Sequence, residues 1–234
     1  RMDNNMISVL IPVYNTKVNY LEECLNSVYG QTYKRYEIII INNGSTNNDT
    51  NDYLKNINQN MTYVYNCERQ AGKKNLSIAL NYGLTKCSYE YVARLDSDDI
   101  ILPERLEKQI HYMIMNPQVD ILGTQLQQMF GNKHITNHPL YIPQDYYRVS
   151  THFINHPSVM FKKSKILSIG GYKESPEHIP EDFILWAKAL KKSLIIHNLP
   201  EILVYYRNRQ DNLSEIDSKY KEWYEEIYKV IMEN

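Results

Sequence analysis

The run Arg94-Leu95-Asp96-Ser97-Asp98-Asp99 places three carboxylates directly after Tyr89 to Leu95, a stretch that reads as a buried strand. Asp96 and Asp98 are two residues apart, so in extended geometry their side chains fall on the same side. Two carboxylates converging in this way repel each other unless a cation lies between them. Mg²⁺ and Mn²⁺ take oxygen ligands, and Mg²⁺ commonly uses one or two carboxylates together with substrate phosphates. Asp96 and Asp98 are therefore candidate metal ligands. A polar turn, with Asp98 or Asp99 capping the helix near Pro103, accounts for the same residues. A second acidic pair, Glu181-Asp182, opens a helical segment that carries Trp186. A carboxylate set against a hydroxyl can take its proton during attack, and such a general base contributes about 10²–10⁴-fold. Acidic residues in a first helical turn also favour the helix by about 0.3–1 kcal/mol through its macrodipole, so both explanations stand.

Weaker signals surround these two. Asn42-Asn43-Gly44-Ser45-Thr46 is a turn that lets backbone approach a ligand closely, or an ordinary Asx turn. Gly72-Lys73-Lys74 offers two ammonium groups to a diphosphate, or a solvated surface. His134 and His138 have helical spacing, but Ile135-Thr136 between them and Pro139 after them argue against a helix and a metal pair. His156, before Pro157, is a minor candidate. No G-x-S-x-G, P-loop or G-x-G-x-x-G is present.

The elements that must position these groups alternate. Ile7 to Ile11, Glu37 to Ile41, Thr62 to Tyr65, Tyr89 to Leu95 and Val119 to Leu122 read as strands, with Pro12 ending the first. Tyr20 to Tyr29, Asp49 to Ile57, Leu76 to Leu84 and Pro103 to Met115 read as helices. Apolar strands with little alternation, separated by helices, predict an α/β fold with a parallel sheet covered on both faces. Ligands of such sheets bind beyond the carboxyl ends of the strands. Those ends are Tyr14-Asn15, Asn42 to Ser45, Asn66 to Lys74 and Asp96 to Asp99. The second half is less regular. His134 to Arg148 is expected to wrap across the sheet. Ser158 to Phe161, Leu194 to Ile196 and Ile202 to Tyr206 read as strands, Gly170-Gly171-Tyr172 as a turn, and Glu181 to Leu190 and Glu215 to Met232 as helices.

Composition narrows the function. The 234 residues suit one large domain, and a net charge of -1 disfavours a nucleic-acid binder working by bulk electrostatics. Cys24, Cys67 and Cys87 are odd in number and lack C-x-x-C spacing, so neither a disulfide framework nor a zinc site is indicated. No targeting pattern and no apolar run near the ~20 residues of a membrane span is visible, and the expected location is cytoplasmic.

In this order the motifs resemble family 2 of the inverting glycosyltransferases, with the GT-A fold. The pieces are Ser8 to Asn15, Leu21 to Val28, Gln31-Thr32-Tyr33, Glu37 to Thr46, Asn81 to Leu84, Ala93 to Asp99, His156 to Phe161, Gly170-Gly171-Tyr172, Glu181 to Trp186 and Tyr206-Arg207. The resemblance implies a mostly parallel, Rossmann-like nucleotide-binding sheet flanked by helices, fused to a smaller acceptor-binding half. The division falls at about residues 1–124 and 125–234 of a single domain. It implies a hexosyltransferase-type enzyme that takes a nucleotide-diphosphate sugar, a UDP-sugar as first expectation, to a glycan, glycolipid or glycoprotein hydroxyl. Pro12, Tyr14 and Asn15 would line the base and ribose, with Asn43, Asp96 and Ser97 also on the nucleotide sugar. Asp98, with Asp96, would hold Mn²⁺ or Mg²⁺. Asp182 would be the base, with Glu181 beside it. The helix from Glu215 could pack on the core or present a homodimer or membrane-surface contact.

The chain departs from the family in places. Asn43 lies in a loop where an acidic residue is usual, Thr16 stands where one is frequent, and Asn75 and Leu80 replace a common Gly and Arg. Lys73 or Lys74 could restore the positive charge. Two rivals are a non-catalytic nucleotide-sugar-binding module and a sugar nucleotidyltransferase. The first is disfavoured by the retained Asp96, Asp98 and Asp182. The second carries a Gly- and Arg-rich loop where this chain has Pro12-Val13-Tyr14-Asn15.

Overall fold

A computed structural model describes residues 5–130, 134–139, 154–174 and 180–208. The first half runs β1 (Ile7–Val13), α1 (Val18–Tyr29), β2 (Tyr36–Asn42), α2 (Asn48–Lys55), β3 (Thr62–Asn66), α3 (Asn75–Lys86), β4 (Tyr91–Arg94), β5 (Ile100–Ile101) and α4 (Arg105–Met115). The second half adds β6 (Ile121–Phe130), β7 (His134–Pro139), β8 (Met160–Lys162), α5 (Lys163–Ser168), α6 (Glu181–Lys191) and β9 (Ile196–Asn208). The strands form one sheet in the order β3-β2-β1-β4-β8-β6-β9-β5, with β7 paired to β6. Its first four strands are parallel, β8 enters antiparallel to both β4 and β6, and β6 and β9 are parallel.

Both faces of β1 and β2 are buried, which is why their apolar residues do not alternate with polar ones. Alternation decides the layer instead. Ile7, Val9, Ile11 and Val13 pack with Leu21, Leu25 and Val28 of α1 and Leu106, Ile110 and Met113 of α4. Leu10 joins Ile39 and Ile41 against Ala79, Leu80 and Leu84 of α3, and the same layer holds Leu185, Trp186 and Ala189 of α6. Ser8 and Glu37 are the buried polar residues of β1 and β2, and Ser8 Oγ donates to Glu37 at 2.7 Å.

Four sequence expectations are corrected. Pro12 does not end β1. The amide of Leu95 donates to Leu10, so even-numbered residues of β1 turn their backbone groups toward β4. Pairing with β4 stops at Leu10, so the missing N–H of Pro12 removes no ladder bond. The stretches from Leu194 and Ile202 are one strand, β9, running beside β6 with register shifts near Gln125. Ser158 ends a 3₁₀ turn, and the strand there begins at Met160. Pro103 precedes α4 rather than lying in its first turn. Part of the wrap from His134 is a strand, β7. Residues 140–148 and the helix expected over Glu215 to Met232 lie outside the described residues. Among the described residues no helix is long and apolar enough to cross a membrane.

Candidate active site

The carboxyl ends of β1, β2 and β4 open on one cleft of about 340 Å³. β1 contributes Pro12, Val13, Tyr14 and Thr16, β2 contributes Asn43, and the turn after β4 contributes Asp96, Ser97 and Asp98. Arg69, Lys74, Asn75 and Leu76 complete the lining. Tyr14 is 44% exposed, and the guanidinium of Arg69 lies 3.9 Å from its ring centroid. Gly44 makes room for that stack, because its φ is +66° and a Cβ there would meet Arg69 Cγ at 2.9 Å. Asn42 closes the Asx turn, its Oδ1 accepting from the Ser45 amide at 3.1 Å. Asn43 instead is 3% exposed, lines the cleft and finds no hydrogen-bond partner for its Oδ1 among the described residues.

The three aspartates do not continue in extended geometry. The Asp99 amide donates to the Asp96 carbonyl at 3.2 Å, closing a turn that still leaves Asp96 and Asp98 on the cleft wall. Arg94 Nη1 lies 2.7 Å from Asp96 Oδ2. Arg105 braces the strand end from below, donating to the Arg94 carbonyl at 2.8 Å and the Val159 carbonyl at 3.3 Å. Arg207 of β9 clamps the turn itself. Its Nε donates to the Asp98 carbonyl at 2.8 Å, its amide donates to Asp99 Oδ1 at 2.9 Å, and its Nη2 pairs with Glu23. Asp99 therefore anchors β9 and does not cap α4. Burial, then the charges of Asp96 and Asp98, push its carboxyl well up.

Two carboxylates lining a cleft of this size suit a cation that completes its shell with substrate oxygens and water. Among the described residues no group of three or more His, Cys, Asp or Glu could hold a metal unaided. Asp96 and Asp98 fit an ion brought in with a diphosphate, and Arg94 offsets part of the repulsion between them beforehand.

The start of α6 meets this wall through Glu181. Its Oε2 is 3.4 Å from Lys74 Nζ and its Oε1 is 3.5 Å from His156 Nδ1. His156 Nε2 pairs with the Tyr172 hydroxyl at 2.8 Å. Tyr172 is set by Asn81, whose amide bonds both its N–H and its C=O at 2.8 Å. Gly171 precedes it with a φ of +61°, and a Cβ there would lie 2.6 Å from Asn81 Oδ1. Burial, then Arg94, lowers the His156 pKa. Burial alone would raise the Glu181 carboxyl. The hydrogen bond and charge of His156, then the charge of Lys74, overcome it and bring Glu181 below the usual carboxylate range. Asp182 moves the other way. Burial, then the charge of Glu181, raises it to about 7, although its Oδ1 accepts from the Phe183 amide at 2.9 Å.

Residues 8–169 match the family model described as "Glycosyl transferase family 2". The chain belongs to this family. It is 35% identical over 214 residues to the amylovoran biosynthesis glycosyltransferase AmsE of Erwinia amylovora, covering 88% of this chain and 77% of that protein. It is 36% identical over 210 residues to the O-antigen biosynthesis glycosyltransferase WbnJ of Escherichia coli, covering 87% and 80%. It is 31% identical over 211 residues to the E. coli UDP-Gal:alpha-D-GlcNAc-diphosphoundecaprenol beta-1,3-galactosyltransferase, covering 88% and 75%. The fold resembles S. aureus TarS 1–349 in complex with UDP-GlcNAc, with a TM-score of 0.69 and 22% identity over 97% of this chain and 65% of that one. It also resembles the mannosyltransferase PcManGT of Pyrobaculum calidifontis in complex with GDP-Man and Mn²⁺, with a TM-score of 0.66 and 17% identity over 88% and 58%. The chain is a glycosyltransferase of the GT-A fold.

Within this glycosyltransferase the cleft gathers Pro12, Tyr14, Asn43, Asp96, Ser97 and Asp98. Asn15 is engaged differently: with φ of +52°, it accepts at Oδ1 from the Thr46 and Asn47 amides at 2.8 and 2.9 Å, tying the β1 end to the loop after β2. Ser97 Oγ meets Thr16 Oγ1 at 2.6 Å, so Thr16 holds the acidic turn against β1. Glu181 and Asp182 stand at the start of α6 and do not line this cleft; Lys74, which does, reaches Glu181 at 3.4 Å. Arg69, Arg94 and Tyr172 fell inside stretches the sequence marked, but their individual roles come from contacts between distant segments. His156 was marked by its place before Pro157 and by the His156 to Phe161 motif.

Proposed function

We propose that this glycosyltransferase moves a hexosyl group from a UDP-sugar to a hydroxyl of a glycan, glycolipid or glycoprotein, with inversion at the anomeric carbon. The cleft at the carboxyl ends of β1, β2 and β4, with an acidic turn at one side and a raised carboxyl behind its wall, carries this reading. Uracil N3–H would donate to the unpartnered Oδ1 of Asn43, while Pro12 and Tyr14 flank the base and ribose. Support for a uridine donor comes from the UDP-Gal-named relative and the TarS–UDP-GlcNAc likeness, and support for a lipid-linked acceptor comes from that relative's name. Asp98 and Asp96 would hold Mn²⁺ or Mg²⁺, whose chemistry there is Lewis-acid stabilisation of the departing diphosphate.

The acceptor oxygen bonds to the anomeric carbon as the bond from that carbon to the diphosphate oxygen breaks, and the acceptor proton passes to the Asp182 carboxylate. A carboxyl near neutrality suits this work, since a general base is most effective with a pKa close to the working pH. Glu181, held ionised by Lys74 and His156, keeps Asp182 basic by its own charge. The donor would be bound by the half spanning about residues 1–124 and the acceptor by about 125–234, on the cytoplasmic side where nucleotide sugars are supplied. The test is UDP release from a panel of UDP-sugars with Mn²⁺ and a polyprenol-diphosphate-linked sugar. Acceptor-dependent release in the unaltered protein, lost in Asp182→Asn, is expected; no release with any donor would overturn the reading.

A further inference from the structure

Lys74 stands between two charged systems. Its side chain is 19% exposed and lines the cleft, and its ammonium meets Glu181, whose side chain is 9% exposed, at 3.4 Å. The backbone on which it stands is fixed. Asn75 Oδ1 accepts from the Gln70 amide at 2.7 Å, and its Nδ2 donates to the carbonyls of Gln70 and Lys73, both at 3.0 Å. One buried side chain thus closes the loop from Gln70 to Asn75 on itself, so only the lysine stem can move. Glu181 is fixed as well, because its second oxygen faces His156, which Tyr172 holds. A lysine ammonium is a point charge with three donors on a flexible stem. It can therefore keep one bond to a fixed carboxylate and offer another to a phosphate oxygen in the cleft.

We propose that Lys74 is a positioning residue that couples donor occupancy to the helix bearing Asp182, its ammonium dividing between the donor diphosphate and Glu181. This rests on the nucleotide-diphosphate reading of the cleft. Before donor binds, Lys74 contacts Glu181. Once a diphosphate enters, the ammonium is shared, and Glu181 shows more of its negative charge to the neighbouring Asp182. The proton affinity of the base thus rises with the arrival of the donor. Lys73 does not share this position: its partner is Glu174 at 3.1 Å, and both of those side chains are far more exposed.

The experiment is a double-mutant cycle read by titration calorimetry with UDP and with uridine, both in Mn²⁺. Lys74→Met should weaken UDP by about tenfold or more, the size of a lost hydrogen bond to a charged group, and leave uridine unchanged. Glu181→Gln should tighten UDP by about two- to fivefold, as a competitor for the ammonium is removed. The same change made on top of Lys74→Met should have no effect. Lys74→Arg should restore most of the preference for UDP over uridine. Equal effects of Glu181→Gln in both backgrounds, or unaltered UDP affinity in Lys74→Met, overturn the coupling. Should Glu181→Gln not fold, Lys74→Met is read by steady-state kinetics. A raised donor KM with a lowered kcat supports the proposal, and a raised KM with unchanged kcat overturns it. If the unaltered protein binds no nucleoside diphosphate, the donor reading falls first and takes this proposal with it.

Discussion

Asp182 and Glu181 are neighbours in the chain with opposite fates, and the difference lies in their partners. Glu181 has an ammonium and an imidazole against it; Asp182 has burial and the charge of Glu181. Asp182→Asn should lower kcat by about 10²–10⁴-fold, the usual worth of a general base, with UDP affinity retained in calorimetry. The linkage to folding has a definite sign. An unfolded aspartate ionises near pH 4, whereas folded Asp182 does so near 7. The folded state binds the extra proton, so this group favours folding fully below pH 4, and its contribution is lost as pH rises through 7. The asparagine variant should melt higher than the unaltered protein at pH 8 and show a shrinking difference toward pH 5; thermal denaturation across that range checks it. Asn43→Leu removes the acceptor assigned to the uracil N3–H, so uridine itself should bind about fivefold more weakly, in line with one hydrogen bond of about 1 kcal/mol. At this scale the acidic residues were legible because residue type and strand-end position together suggest chemistry. The role of His156 was not, because it comes from contacts with Tyr172 and Glu181 that no spacing reveals.

The helices and strands that set these residues obey close packing more than local propensity. Gly83 lies within α3, and a Cβ on it would come 2.3 Å from Leu10 Cδ1 and 3.1 Å from Ile41 Cγ1. Both neighbours are fully buried, so neither can swing clear. Gly83→Ala gains about 1 kcal/mol of helix propensity and loses about 1–3 kcal/mol to overpacking. The urea midpoint should therefore fall with an unchanged m-value. The parallel core β3-β2-β1-β4 was legible because apolar runs broken by helical segments have few other solutions. Less of the second half could be read. β9 joins two runs that Pro200 and Glu201 separate in sequence, and only the partner strand β6, with its register shifts, makes them one. The three-residue β8 and two-residue β5 are too short for periodicity and exist through the strands beside them.

Across the whole molecule the two halves are sewn together at the acidic turn. Arg105 ties the end of β4 to Val159 before β8, Gln109 reaches both Leu122 and Ser158 at 2.9 and 2.8 Å, and Arg207 brings β9 onto Asp98 and Asp99. Arg207 also lies 4.0 Å from the Tyr20 ring centroid and pairs with Glu23 of α1, so one side chain joins an early helix, the mid-chain turn and a late strand. Arg207→Met keeps the backbone bond to Asp99 and loses the rest. It should cost about 1–3 kcal/mol, as hydrogen bonds to charged groups do. It should also raise the Mn²⁺ concentration needed for UDP binding while leaving uridine binding alone, a pairing that calorimetry at varied Mn²⁺ separates. The same clamp dictates an order of assembly. A ribosome that has delivered the whole nucleotide-side sheet has still not delivered the guanidinium that locks its acidic corner. The nascent enzyme can acquire its strands early, but the corner meant to receive charge gains its last fastening only after the codon for residue 207 has been read.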